Sequence, residues 1–268
     1  MVYIRSQHNS AYSMRIRLNR QKKGFTLIEL MVVIAILAAL VAVGYYPIVG
    51  YLNDGDRQAA CLNLKLVQTM LLDFSQDNGS YPCDATADAL LEDERNAKYN
   101  FGELKGEKSN PYFRQLFYLF YKGNPTEATF YAKHNGTKEP DEKFANGQAL
   151  TKGENAFAYV LRKESTNPED APGKRAVSGT STPLAFCCVP STPKAYTGDK
   201  LKFNRELFFA HAFMVKTDGS LFDLKDKLQE DGEDDTKSVY AEGFTPFPET
   251  KKGRDTSPDY LIVTPDLM

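Results

Sequence analysis

Residues 22–30 read KKGFTLIEL, and from Phe25 the chain continues as the apolar run FTLIELMVVIAILAALVAVGYYPIVGYL to Leu52. The only charged residue in this run is Glu29. The 22 residues from Phe25 to Tyr46 would form a helix of about 33 Å, which is close to the ~30 Å hydrocarbon thickness of a bilayer. The run therefore predicts one transmembrane helix at the start of the fold.

The segment before this run is basic. Residues 1–24 contain six lysines and arginines and no acidic residue, so their formal charge is +6. The whole chain of 268 residues carries −2, and removing the +6 of this segment leaves −8 for the remainder. The positive-inside rule keeps such a leader in the cytoplasm and sends the rest outward. An acidic remainder also argues against a nucleic-acid partner, whose phosphates need basic side chains.

Two other kinds of N-terminal segment combine a basic region with an apolar core. A secretory signal peptide usually has a core of about 7–15 residues that ends in a small-x-small cleavage site. Here the core is longer, and Ala38 and Ala39 lie inside it. An ordinary signal anchor fits the length but does not account for Glu29. A carboxylate in a membrane helix costs free energy and usually marks a function, although near the headgroups it can snorkel.

The stretch KKGFTLIEL resembles the processing motif of type IV pilins and type II secretion pseudopilins. The resemblance implies that a prepilin peptidase cuts between Gly24 and Phe25, so that residues 1–24 leave as a leader and Phe25 becomes an N-methylated terminus. It also implies that Glu29 is the acidic residue that such subunits use in assembly. The other implied partners are the inner-membrane assembly platform, sister subunits and the membrane itself.

The residue types suit these roles. A glycine at position 24 leaves the scissile backbone open to a protease. Cleavage creates an ammonium group on Phe25 in apolar surroundings, and Glu29 follows four residues later on the same helix face. A buried charge is tolerated when it is paired. In the family picture, Glu29 of one subunit therefore pairs with the terminal ammonium of a neighbour.

A second helical pattern follows the apolar run. Beyond residue 56, apolar residues recur at alternating spacings of four and three, and the sequence NGSYP at residues 78–82 is a helix-termination signal. We predict a membrane and assembly helix over 25–52, an amphipathic continuation over 53–79 and a globular head over 80–268. The apolar stripe of the continuation consists of Ala60, Leu64, Val67, Leu71 and Phe74.

The sequence as a whole predicts an α+β protein, with a long N-terminal helix and a C-terminal globular head built on a small antiparallel β-sheet. Residues 111–121 are predicted to form an aromatic-rich helix or buried segment. A turn at 217–220 joins two strands into a hairpin that resembles the C-terminal strands of pilin-like proteins. Residues 122–156 and 163–183 are typical of long surface loops. The predicted strands are Phe157–Leu161, Leu184–Val189, Leu207–Val215 and Leu221–Leu224.

Signals for chemistry in the head are weak. His8 lies in the leader, and His134 and His211 lie outside any metal-ligand or catalytic-triad spacing, so we predict a surface and a strand histidine. The acidic run at 230–235 offers hard oxygen ligands for Ca²⁺, as in a C-terminal loop of some pseudopilin heads, but such a run is more often a solvated loop. The calcium candidates are Asp231, Glu233, Asp234 and Asp235, and no other cofactor is expected.

The four cysteines are an even number and would face an oxidising compartment. Three pairings are open to them. Because the adjacent Cys187 and Cys188 are awkward to join to each other, we expect cross-links from Cys61 and Cys83 to this pair. Free buried thiols are the alternative.

The resemblance thus predicts a non-enzymatic structural subunit of a type IV pilus or a type II secretion pseudopilus. It would be held in the bacterial inner membrane by a single span, with its head in the periplasm or on the cell surface. Pilus or pseudopilus, and major or minor subunit, stay open. One alternative is a minor pilin-like adhesin or substrate-binding tip protein. A more remote alternative is a membrane-anchored enzyme, which the lack of a catalytic constellation argues against. Translation from Met14 rather than Met1 would give a leader of more typical length.

Overall fold

The computed structural model describes residues 25–119, 125–162, 174–247 and 260–268, without the side chains of 42–52, 199 and 209. The chain divides into two compact units, Met1–Val49 and Gly50–Met268. The first helix, α1 (Leu27–Asn78), contributes its N-terminal part to the first unit and its C-terminal part to the second. Residues 1–24, which carry the predicted leader, lie outside the described residues.

The C-terminal part of α1 packs on the head through the predicted apolar stripe. All five stripe residues are fully buried, whereas Leu62 on another face is 62% exposed. The helix ends at Asn78, and Gly79 adopts a positive φ of 74°, the conformation that a glycine at a helix C-terminus provides at low cost. The predicted stripe and helix end are both confirmed. Burial of the stripe, rather than helix propensity, therefore fixes this part of α1.

Polar contacts add to this packing. The side-chain amide of Asn63 donates to the carbonyl oxygens of Ala128 and Tyr131, at 3.1 and 2.8 Å. The ammonium of Lys65 donates to the carbonyl of Gly219, which lies in the turn of the predicted hairpin. The helix is thus anchored both to the segment before the first strand and to the sheet.

Two shorter helices follow, α2 (Asp84–Glu92) and α3 (Ser109–Arg114), and a 3₁₀ turn at Gln115–Tyr118 continues α3. Pro111 lies in the first turn of α3, where its missing N–H costs no hydrogen bond. Tyr112, Phe113 and Phe117 are buried. The predicted aromatic segment is therefore helical and contributes large side chains to the core.

The described residues contain ten strands, and every pair of them is antiparallel. The strands are β1 (Phe157–Arg162), β2 (Arg175–Ala176), β3 (Pro183–Cys187), β4 (Tyr196–Thr197), β5 (Phe203–Asn204), β6 (Phe213–Lys216), β7 (Leu221–Asp223), β8 (Leu228–Asp231), β9 (Asp234–Tyr240) and β10 (Tyr260–Val263). Seven of them form one sheet in the order β4-β10-β1-β3-β6-β7, with β2 paired to β1. The other three form a second sheet in the order β5-β9-β8.

The α+β class predicted from the sequence is confirmed, and so is the β6–β7 hairpin, in which Val215 pairs with Leu221. One strand prediction is wrong in extent. Within Leu207–Val215, residues Phe208–Ala210 form a 3₁₀ turn, and the strand begins only at Phe213. Phe208 and Ala210 have positive φ values of 47° and 64°, which an extended strand does not allow.

Candidate functional site

The first turn of α1 forms at the predicted processing and assembly motif. The N–H and hydroxyl of Thr26 donate to Oε2 of Glu29 at 2.8 and 2.9 Å, and the N–H of Glu29 donates to Oγ1 of Thr26 at 3.3 Å. Reciprocal bonding of this kind is a capping box, which satisfies N–H groups that have no partner inside the helix. Glu29 therefore already has a structural role within one chain.

The capping role uses only one of the two carboxylate oxygens. Both bonds from Thr26 end on Oε2, and no described residue donates a hydrogen bond to Oε1 of Glu29. The sequence pattern Thr-x-x-Glu signals such a cap, although Thr26 is not among the predicted site residues. The structure thus brings Thr26 to Glu29. Gly24, on the leader side of the predicted cut, lies outside the described residues.

An apolar surface surrounds this motif on all sides of the helix. Every residue from Phe25 to Val41 is exposed, and the large apolar side chains range from 44% exposed at Val33 to 80% at Phe25. A helix that is apolar all round is normally buried against lipid or other helices. Among the described residues, no helix meets the length and apolarity needed to cross a bilayer.

The comparisons with known proteins concern this same segment. Residues 19–45 match the family model described as the prokaryotic N-terminal methylation motif. The chain thus carries a prepilin-type N-terminal motif, which supports a pilin or pseudopilin class.

A curated relative agrees with this class. The chain is similar to the type II secretion system core protein G of Dickeya chrysanthemi, with 34% identity over 65 residues. These residues make up 24% of this chain and 42% of the relative, so the chain spans less than half of the relative's length. No solved structure matches.

The four cysteines lie in the core of the head or against it. All four cysteines are free thiols; Cys61 is partly buried and the other three are buried. The sulfur atoms of Cys187 and Cys188 are 3.5 Å apart. Burial, together with the neighbouring Cys187, raises the pKa of the Cys61 thiol. The sheet thus brings Cys187 towards Cys61 on α1, and the predicted cross-links stay a prediction.

The calcium candidates of the sequence lie on the hairpin of β8 and β9. The ammonium of Lys202 lies 2.5 Å from Oδ2 of Asp231, and that of Lys237 lies 2.6 Å from Oδ2 of Asp234. Hydrogen bonds from Lys237 and Thr236 lower the pKa of Asp234 to about 2. Lys202 also lies 3.8 Å from Oε2 of Glu233, so three of the four carboxylates have lysine partners. Calcium binding by this hairpin remains a prediction.

The two histidines of the head have different surroundings. His211 follows the 3₁₀ turn instead of lying within a strand; its Nε2 accepts from Nη1 of Arg57 at 3.1 Å, and its Nδ1 contacts the carboxylate of Asp223. His134 makes a 2.8 Å contact from Nδ1 to the carbonyl of Asn135, and burial lowers its pKa. The arrangement of His211 ties α1 to β7, which is a structural role.

Proposed function

We propose that this chain is a structural subunit of a type IV pilus or a type II secretion pseudopilus, cut between Gly24 and Phe25 and assembled through α1. The observation that carries the proposal is the apolar helix surface from Phe25 to Val41, with Glu29 as its one charge. An apolar surface of this extent needs lipid or neighbouring helices to cover it. The match to the methylation motif at residues 19–45 supports this subunit class.

The proposed mechanism uses both oxygen atoms of the Glu29 carboxylate. Within one subunit, Oε2 caps the first turn through Thr26. After cleavage, the new ammonium of Phe25 in a neighbouring subunit would approach the remaining oxygen. Because a charge in an apolar surrounding must be paired, this contact fixes the register of the two helices. Apolar side chains then pack helix against helix.

The partners and location follow from the same proposal. The prepilin peptidase removes the leader, the inner-membrane assembly platform adds the subunit, and sister subunits form the filament. Before assembly the subunit is held in the bacterial inner membrane as a single-pass protein, with the head in the periplasm. The chain acts as a building unit and has no catalytic role in this proposal.

Two substitutions of Glu29 test the proposal. Glu29→Gln removes the charge and keeps the size, and glutamine serves equally at this position of a capping box. Glu29→Leu removes the charge and the carboxylate half of the capping box, while the N–H at position 29 can still donate to Thr26. We expect both variants to be cut and held in the membrane, but to enter filaments at least about tenfold less than wild type, because the neighbour's ammonium is left unpaired. The measurement is the ratio of subunit in sheared filaments or crosslinked oligomers to membrane-held subunit.

Asp54→Asn is the matched control, since it removes a carboxylate from the same helix, where Asp54 pairs with Arg57 at 3.2 Å. This variant should enter filaments as wild type does. Normal incorporation of Glu29→Gln would contradict the proposal and leave Glu29 as a cap alone.

A second candidate function is a minor subunit that binds a ligand at the filament tip. An open cleft of ≈ 460 Å³ on the head supports it, with Asp77, Leu90, Asp93 and Arg95 among its lining residues. Immunogold labelling separates the two: a structural subunit labels the whole shaft, and a tip protein labels only the ends.

A further inference from the structure

Three carboxylates from distant parts of the segment before β1 meet inside the head. Glu127 begins a 3₁₀ turn, Glu127–Phe130, and Asp141 and Glu154 follow in irregular chain. One oxygen atom from each of the three lies within 4.8 Å of the others. Glu127 and Glu154 are fully buried, whereas the side chain of Asp141 is 48% exposed. The cluster thus has two ligands in the interior and one at the surface.

Two of the three carboxylates have lysine partners. Oε1 of Glu154 lies 3.1 Å from the ammonium of Lys138, and Oδ2 of Asp141 lies 3.1 Å from that of Lys143. Both lysines are at the surface, with 41% and 69% of their side chains exposed. Lys143 can turn towards solvent and release the exposed Asp141 at little cost. Glu154 is fully buried, so Lys138 can leave it only if another positive charge takes its place.

Unlike Asp141 and Glu154, Glu127 has no lysine partner among the described residues. Its Oε1 accepts the N–H of Leu150 at 2.8 Å, but its Oε2 is buried and has no hydrogen-bond partner. No described lysine or arginine forms an ion pair with Glu127. A buried carboxylate oxygen without a partner is costly, and two more carboxylates nearby add repulsion. The guanidinium of Arg114 lies near enough to interact electrostatically with Glu127 and Glu154, but it donates to backbone carbonyls and leaves Oε2 of Glu127 without a direct partner.

We propose that Glu127, Asp141 and Glu154 bind one hard divalent cation, of the size and chemistry of Ca²⁺. Carboxylate oxygens are the ligands such ions prefer. Ca²⁺ bonds of about 2.3–2.6 Å place opposite ligands up to roughly 5 Å apart, whereas Mg²⁺ bonds allow only about 4.2 Å. Oxygens spread over as much as 4.8 Å fit the larger ion with less movement.

The ion would connect the long irregular segment to α1. The carboxylate of Glu142 accepts from the backbone N–H groups of Glu127 and Ala128, at 3.1 and 2.9 Å. The carbonyl of Ala128 in turn accepts from Asn63 on α1 at 3.1 Å. Ion binding at Glu127 should therefore stabilise the segment that covers this face of the helix. This inference does not depend on the assembly proposal, because it is tested without processing or filaments.

The experiment uses the purified full chain, stripped with a chelator, and titrates it with CaCl₂ and separately with MgCl₂ by calorimetry. We expect one Ca²⁺ site, weaker Mg²⁺ binding and an increase in Tm on addition of Ca²⁺. Asp141→Asn removes an exposed ligand without touching the core and should weaken Ca²⁺ binding at least about tenfold. Glu127→Gln keeps the shape of the buried side chain and should abolish binding.

The matched control is Asp234→Asn on the β8–β9 hairpin, which should bind Ca²⁺ as wild type does. Circular dichroism of Glu127→Gln checks that it is folded, and Asp141→Asn decides the question if it is not. Absence of Ca²⁺ binding in the wild-type chain would overturn the proposal and indicate that Glu127 is a neutral acid. Loss of binding in Asp234→Asn, with full binding in Asp141→Asn, would overturn it in favour of the hairpin.

Discussion

Glu29 caps the first turn of α1 in the structure and has a second role in the proposed assembly, and Thr26 provides a way to separate the two. Thr26 bonds to Glu29 within the chain, so it matters for the start of α1 but carries no charge. The proposed pairing of Glu29 with a neighbour's ammonium would depend on charge and not on Thr26. Variants of the two residues therefore separate capping from assembly.

Thr26→Ala should leave filament assembly within about twofold of wild type, because the charge of Glu29 is retained and only the hydroxyl contacts of the cap are lost. Hydrogen exchange of the backbone amide of Glu29, in the first turn of α1, should become faster, since this N–H loses its acceptor Oγ1 of Thr26. Thr26→Ser keeps the hydroxyl and is the control for both measurements. Assembly as poor in Thr26→Ala as in Glu29→Gln would show that the hydroxyl contacts of Thr26 are needed as well as the charge, and would contradict the separation of the two roles.

Among single residues, Glu29 could be identified from the sequence because a lone acid in a long apolar run is costly and usually functional. The sequence did not point to the cluster around Glu127. Asp141 and Glu154 lie 14 and 27 positions after Glu127 in irregular chain, and no periodicity relates such positions. Only the fold of the segment brings them together.

The C-terminal part of α1 is the element whose sequence specifies its packing most directly. A helix of 3.6 residues per turn places the stripe on one face, and this face is the buried one. Leu64 is fully buried, and Leu62 is 62% exposed. The two leucines are separated by two positions and differ sharply in burial.

Leu64→Ala should lower the free energy of unfolding of the head by about 2–5 kcal/mol, because it removes buried methyl groups and leaves a cavity. Leu62→Ala should change it by no more than about 0.5 kcal/mol. Urea unfolding of the full chain in detergent, followed by tyrosine fluorescence of the head, measures both. Equal effects of the two substitutions would show that the stripe does not hold the helix on the head.

Strands were harder to predict than the helix, for reasons visible in particular elements. β2, β4 and β5 contain two residues each, which is too short for an alternating pattern. β10 pairs with β1 across about a hundred positions, with Tyr159 opposite Val263. The residues of β8 and β9 are polar enough to resemble a loop. They form a sheet because β8 pairs with β9 and β9 also pairs with β5.

At the scale of the whole molecule, the class of protein depends on a small part of the chain. The matched motif covers residues 19–45, and the similarity to core protein G covers 24% of the chain. The remainder forms a sheet-based head whose architecture follows from burial and pairing. Its α+β class was predictable from helical periodicity followed by short strands, but its order of strands was not.

The N-terminus of the mature chain tests the central claim most directly. The chain is expressed in a host with an active prepilin peptidase, beside a prepilin known to be cut there, and its N-terminus is determined by mass spectrometry. The proposal predicts a chain that begins at Phe25 with one added methyl group, and a precursor that persists when Gly24 is replaced by tryptophan. A wild-type chain that retains residues 1–24, while the reference prepilin is cut in the same cells, would contradict the account.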